Sequence, residues 1–140
     1  MKQIPVIFWT GTGNTQMMAD AVAEAINAAG AEAVVKNVSE ISADEAAGYD
    51  ALALGCPAMG AEVLEECEFE PFFTELEGKL AGKKVALFGS YGWGGSYMQD
   101  WEARVKDAGA TLVADGVLAL GAPDDEAVAK LAEAGKLLAE

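Results

Sequence analysis

The stretch that decides the fold is IPVIFWTGTGNTQMM, Ile4 to Met18. Its first part, Ile4 to Trp9, is a mostly apolar run that reads as a strand. Two glycines, an asparagine and three threonines follow at once in Thr10 to Thr15. Asn14 or Thr15 can then cap a helix. Its apolar stripe is Met17, Met18, Ala21, Val22, Ala25, Ile26 and Ala29, and Gly30 stops it. Pro5 has no amide hydrogen, which places it at the entrance of the strand.

The same unit recurs along the chain. Ala33 to Val38 and Asp50 to Gly55 read as the second and third strands. A short helix over Glu70 to Leu80 follows a long loop, and Val85 to Phe88 is the fourth strand. Ser96 to Ala108 is a charged helix. Thr111 to Val113 and Gly116 to Leu120 read as two parts of one interrupted strand. Pro123 and Asp124 start a last helix, with Val128, Leu131, Gly135 and Leu138 near helical spacing. Continuous apolar strands alternating with amphipathic helices imply a parallel sheet covered on both faces. Without linkers or repeats, residues 1–140 read as one domain.

Composition narrows the function classes. There are 23 acidic residues against 9 basic ones, a net charge of −14, which disfavours nucleic acid and anionic membranes as partners. It suits basic protein partners, or simple solubility. The chain has no histidine, which removes histidine acid–base chemistry and histidine metal sites. Its two cysteines, Cys56 and Cys67, lack C-x-x-C spacing, and Cys56 is expected buried at a strand end. No run reaches membrane-spanning length, and nothing reads as a signal peptide, so a cytoplasmic place is expected.

Ligands of parallel sheets bind beyond the carboxyl ends of the strands, where this chain puts its glycine-rich loops. In the first loop, Gly11 and Gly13 permit close approach of backbone to ligand. Thr10, Thr12 and Thr15 supply hydroxyls, Asn14 an amide, and the helix behind them its unpaired amides and positive dipole end. A dinucleotide fingerprint needs a third glycine where Gln16 stands, and a Walker A loop needs a lysine that is absent. A single phosphate held by neutral donors remains. Met59 stands in the loop after the third strand, and Tyr91 and Trp93 lie among glycines after the fourth. Gly121 and Ala122 beyond the fifth leave room for a ligand edge. A phosphate nest, a thioether and an indole together describe a slot for a planar phosphorylated molecule, and FMN meets all three demands. The plainer readings are a hydroxyl-rich turn, a core-plugging methionine and a tryptophan that anchors its own loop.

TGTGNT, GCPAMG, EFEPFF and KKVALFGSYGWGG, in this order and at these separations, strongly resemble the short-chain flavodoxins. The resemblance runs from Ile4 to the last helix. It implies an α/β flavodoxin-like three-layer sandwich with a five-stranded parallel sheet of order 2-1-3-4-5, the strand order that defines that fold. It implies that Thr10, Thr12, Asn14 and Thr15 hold the phosphate of FMN, with the amides of Gly11 and Gly13. Ser90 is a further hydroxyl near phosphate or ribityl, Met59 packs on the inner flavin face and Trp93 on the outer. Gly60 turns its carbonyl toward flavin N5 once that nitrogen is protonated, and Glu62 accepts from N3. Ala58, Tyr91, Gly92, Gly94 and Gly121 complete the cofactor-binding set, and no metal or catalytic residue is implied. Two positions depart from the pattern: Thr10 replaces the usual serine, and Ala61 follows Gly60 where a polar residue or glycine is common. A β-carbon at Ala61 biases that turn and leaves semiquinone stability open.

The implied function is that of a low-potential one-electron carrier, not an enzyme, cycling between semiquinone and hydroquinone. A carboxylate-rich surface opposes the second negative charge on the flavin. Seven acids between Glu62 and Glu77 (Glu62, Glu65, Glu66, Glu68, Glu70, Glu75 and Glu77) have no lysine or arginine among them. They read as a steering surface for redox proteins with basic docking surfaces, ferredoxin-dependent oxidoreductases among them, or as a solvated face. The carrier is expected monomeric. The alternative is a small FMN-dependent reductase of a quinone or nitro compound, which needs the space over the flavin that Trp93 is expected to fill. A phosphorelay receiver is excluded, because Trp9, Thr10, Gly55 and Cys56 occupy the places of its aspartates.

Overall fold

The apolar runs become strands and the striped segments helices in a computed structural model, which describes residues 2–11, 13–58, 64–91 and 96–140. In chain order these are β1 (Gln3–Phe8), α1 (Asn14–Ala28), β2 (Glu32–Asn37), a 3-10 turn (Val38–Glu40), α2 (Ala43–Ala46) and β3 (Ala51–Gly55). Then come α3 (Phe69–Glu77), β4 (Lys84–Tyr91), α4 (Ser96–Asp107), β5 (Thr111–Leu112), β6 (Val117–Leu120) and α5 (Asp125–Ala139). The strands pair in parallel in the order β2-β1-β3-β4-β5. β5 lies opposite Lys84 and Val85, and β6 opposite Phe88 to Tyr91 of the same strand. They are two lengths of one fifth strand, broken over residues 113–116.

β1 sits between β2 and β3, and its ladder to β3 begins only at Val6. The missing amide of Pro5 therefore costs nothing on that side. Strand residues alternate between two cores. Ile4, Val6, Phe8, Ala51, Ala53 and Ala86 meet α1 and α5 on one face. Ile7, Leu52, Leu54, Val85 and Leu87 meet α3 and α4 on the other. β3 presents alanines to the first face and leucines to the second, and α1 and α5 approach each other closely. Gly135 belongs to this closeness, since a β-carbon there would lie 2.8 Å from the Val22 carbonyl oxygen.

Three expectations change. Met17 is 45% exposed, because the buried face of α1 is Met18, Val22 and Ile26 with Ala19 and Ala23. One residue back is about 100° around the helix. Val128 is likewise exposed on α5. The β2-to-β3 crossover carries no full helix, only the 3-10 turn and the four-residue α2, capped by Ser42. Gly30 does stop α1, at φ 93°, with Ala31 N–H donating to the Ile26 carbonyl. Among the described residues, no helix is long and apolar enough to cross a membrane.

Candidate functional site

The described candidates gather at one edge of the sheet. Thr10, Gly11, Gly13, Asn14 and Thr15 follow β1, Ala58 follows β3, Ser90 and Tyr91 close β4, and Gly121 follows β6. Thr12, Met59, Gly60, Ala61, Glu62, Gly92, Trp93 and Gly94 lie outside the described residues. Backbone bonds stitch the edge together beyond the regular strands. Trp9 N–H donates to Gly55 O (3.0 Å), Ala58 N–H to Ser90 O (3.0 Å) and Gly121 N–H to Tyr91 O (3.1 Å). The Ser90 hydroxyl donates to the Gly121 carbonyl at 2.9 Å, so toward a ligand it retains only acceptor capacity.

The first loop ends in a backbone cap. Gly13 holds φ 92°, a left-handed state that glycine adopts freely. Its N–H donates to Thr10 Oγ1 at 2.9 Å, and its carbonyl accepts from Met17 N–H at 3.1 Å. Gly13 is thus the N-cap of α1, in place of Asn14 or Thr15, and no side chain among the described residues caps the helix. The amides of the first turn have no acceptor within the helix. The first turn also holds no acidic residue. Thr15 is 1% exposed, and its hydroxyl has no hydrogen-bond partner among the described residues. A buried polar group left unpaired costs about 1–3 kcal/mol. Trp101 Nε1, among the aromatic rings of α3 and α4, is a second buried atom without a partner among the described residues. At Thr15 the orphan hydroxyl and the helix amides coincide, which fits the oxygens of a phosphate.

A different apparatus supports the opposite side of the edge. Cys56, just past β3, is fully buried. Its N–H donates to Phe88 O (3.1 Å), and its sulfur accepts from Glu65 N–H (3.3 Å). Its carbonyl accepts from the Tyr97 hydroxyl at 2.7 Å. A β-carbon on Gly89 would collide with that hydroxyl and that carbonyl. Burial pushes the Cys56 thiol up to about 12, so it stays protonated. Burial, then the nearby Cys56, also raises the Tyr97 phenol, so it remains a donor. Tyr97 stacks on Trp101, which meets Phe69 and Phe73 edge-on.

The acidic run divides in space. Glu65 is 6% exposed, and its carboxylate accepts from the N–H groups of Cys67 (2.7 Å), Glu68 (2.8 Å) and Phe69 (2.9 Å). It caps α3 instead of facing a partner. Burial pulls its pKa upward, but these amides outweigh burial and hold it below the usual carboxylate value. Glu70 and Glu77 grip Arg104 of α4, whose guanidinium also lies 4.7 Å from the centre of the Phe73 ring. Arg104 holds the Glu70 carboxyl below its usual range. Glu66, Glu68 and Glu75 remain exposed, and Glu68 accepts from the Trp9 indole at 3.2 Å. The expected surface of seven is therefore smaller: its sequence lacked a cation, but the fold brings one across from the next helix.

Sequence reasoning missed Glu65, Tyr97 and Arg104 as supporting residues. Only Arg104 left a signal, as the single arginine of the chain.

Residues 6–135 match the family model described as Flavodoxin. The chain belongs to the flavodoxin family. The flavodoxin of Clostridium beijerinckii is 47% identical over 135 residues, spanning 96% of this chain and 97% of that one. The flavodoxin of Megasphaera elsdenii is 47% identical over 116 residues, spanning 82% and 85%. The solution structure of two-electron reduced Megasphaera elsdenii flavodoxin superposes with a TM-score of 0.89 at 43% identity, covering 97% of this chain and 98% of that one. Flavodoxins are FMN-binding electron carriers and not enzymes, and the flavodoxin fold with its 2-1-3-4-5 sheet is the one described above.

Proposed function

We propose that this flavodoxin is a low-potential one-electron carrier with non-covalently bound FMN, cycling between semiquinone and hydroquinone. The observation that carries the reading is the buried Thr15 hydroxyl, without a partner among the described residues, on the first turn of a helix that none of their side chains caps. With Thr10, Gly11, Gly13 and Asn14 it would hold the phosphate by neutral donors. When bound, FMN supplies the electron chemistry, and the chain tunes it. A net charge of −14 disfavours adding a further negative charge, which supports a low second potential.

The partners in this reading are redox proteins with basic docking surfaces, met by exposed carboxylates such as Glu66, Glu68 and Glu75. Their encounter should slow as salt rises. Two free cysteines suit the reducing cytoplasm.

The test is stepwise anaerobic reduction of the FMN-loaded protein, recording spectrum and potential. Two resolved one-electron steps are expected, the first giving a blue neutral radical and the second lying distinctly lower. Bleaching in one two-electron step would replace the carrier by a flavin reductase. Failure to retain FMN would remove the phosphate-nest reading.

A further inference from the structure

Two stretches expected to flank the flavin ring leave the described residues at 59–63 and 92–95. The described residues on their flanks meet in one buried place. Cys56 lies three residues before the first stretch, Glu65 two residues after it, and Tyr97 two residues after the second. Tyr97 Oη donates to Cys56 O at 2.7 Å, and Glu65 N–H donates to Cys56 Sγ at 3.3 Å. Tyr97 is 2% exposed and Cys56 fully buried. Neither residue belongs to the expected FMN contacts.

We propose that Tyr97 and Cys56 are positioning residues, a buried junction that ties the end of β3 to the first turn of α4 and to the cap of α3. The proposal rests on the FMN reading only for what the stretches at 59–63 and 92–95 hold. The junction has three arms. The Cys56 carbonyl reaches α4 through Tyr97, and the Cys56 sulfur reaches the capping residue of α3 through Glu65. The Cys56 amide reaches β4 through Phe88. Gly89 leaves the space in which hydroxyl and carbonyl meet. A buried carbonyl that loses its donor seeks another by moving the backbone, and here that backbone is the base of the first stretch. The Tyr97 ring remains packed on Trp101 after Tyr97→Phe, so this substitution removes the tie and keeps the packing.

The experiment compares the unsubstituted chain with Tyr97→Phe and Cys56→Ala, each FMN-free and FMN-loaded. Amide hydrogen exchange of the FMN-free proteins comes first. Exchange should quicken together at Ala58, at Glu65 to Phe69 and in the first turn of α4, while α1 and α5 keep their protection. In the loaded proteins, Tyr97→Phe should shift at least one of the two one-electron potentials by about 59 mV, a tenfold change in equilibrium. Cys56→Ala should act in the same direction and less. The proposal is overturned if local exchange and both potentials match the unsubstituted chain. It is also overturned if exchange rises uniformly through α1 and α5, since that is general destabilisation. Should the unsubstituted chain not bind FMN, the carrier reading fails, and exchange in the FMN-free proteins still decides whether the junction exists.

Discussion

The two helical layers of this flavodoxin are held by different physics. Between α1, α5 and the sheet, contact is apolar and close, through Val22, Ile26, Leu131, Ala134 and Leu138. The ion pair recorded on α5, Glu126 with Lys130, is exposed and contributes little. Between α3, α4 and the sheet, aromatic rings are laced with polar ties: Glu65 on three amides, Tyr97 on Cys56, Arg104 on two glutamates. In the proposed function the first layer presents the phosphate loop at the start of α1, and the second holds Cys56, Glu65 and Tyr97. An anion nest needs only a well-placed helix terminus, which tight packing of α1 supplies. Segments that leave the sheet for many residues need ties at their bases, and the second layer supplies those.

The largest effect should come from a cavity in the apolar layer. Leu131 is fully buried, and Leu131→Ala should lower stability by about 2–5 kcal/mol, read by urea unfolding of the FMN-free protein. If it costs less than Arg104→Ala, the contrast between the layers is wrong.

Arg104→Ala should cost about 1–2 kcal/mol at neutral pH, more than an exposed ion pair, because the guanidinium is two-pronged and half-buried. Its pH signature sharpens the point. The Glu70 carboxyl sits below its usual value because of Arg104, so the stability it contributes is present above the free glutamate pKa of about 4.3. That contribution is lost as pH falls through the lower folded value. The gap between Arg104→Ala and the unsubstituted chain should therefore be constant from neutral pH to about 5 and close below about 4. A gap that stays open in acid would show packing on Phe73, not charge, to be the tie.

The smallest effect on stability should be Thr15→Val. The substitution keeps the shape and removes a buried hydroxyl without a partner among the described residues, so the FMN-free protein should gain up to about 1 kcal/mol. FMN affinity should nevertheless fall about tenfold, near 1.4 kcal/mol, measured by quenching of flavin fluorescence. Unchanged affinity would leave the Thr15 hydroxyl as a structural oddity.

Much of the molecule is legible in its residues before any folding is considered. The apolar runs located the strands, Gly30 the end of α1, and Ala114 and Asp115 the break in the fifth strand, which the structure widens by one residue on each side. TGTGNT marked the loop that leads from β1 into α1, because glycine backbone and a helix start are local features. Period and composition report such features. Other features arise only when the chain folds. Gly13 displaced Asn14 and Thr15 as the cap, since a left-handed state at one residue moved the helix start. Glu70 and Glu77 left the acidic surface for Arg104, 34 and 27 residues away, and Tyr97 found Cys56 across 41. No period links such partners. They meet because parallel strands carry distant segments to one edge of the sheet, where burial turns their polar groups toward one another.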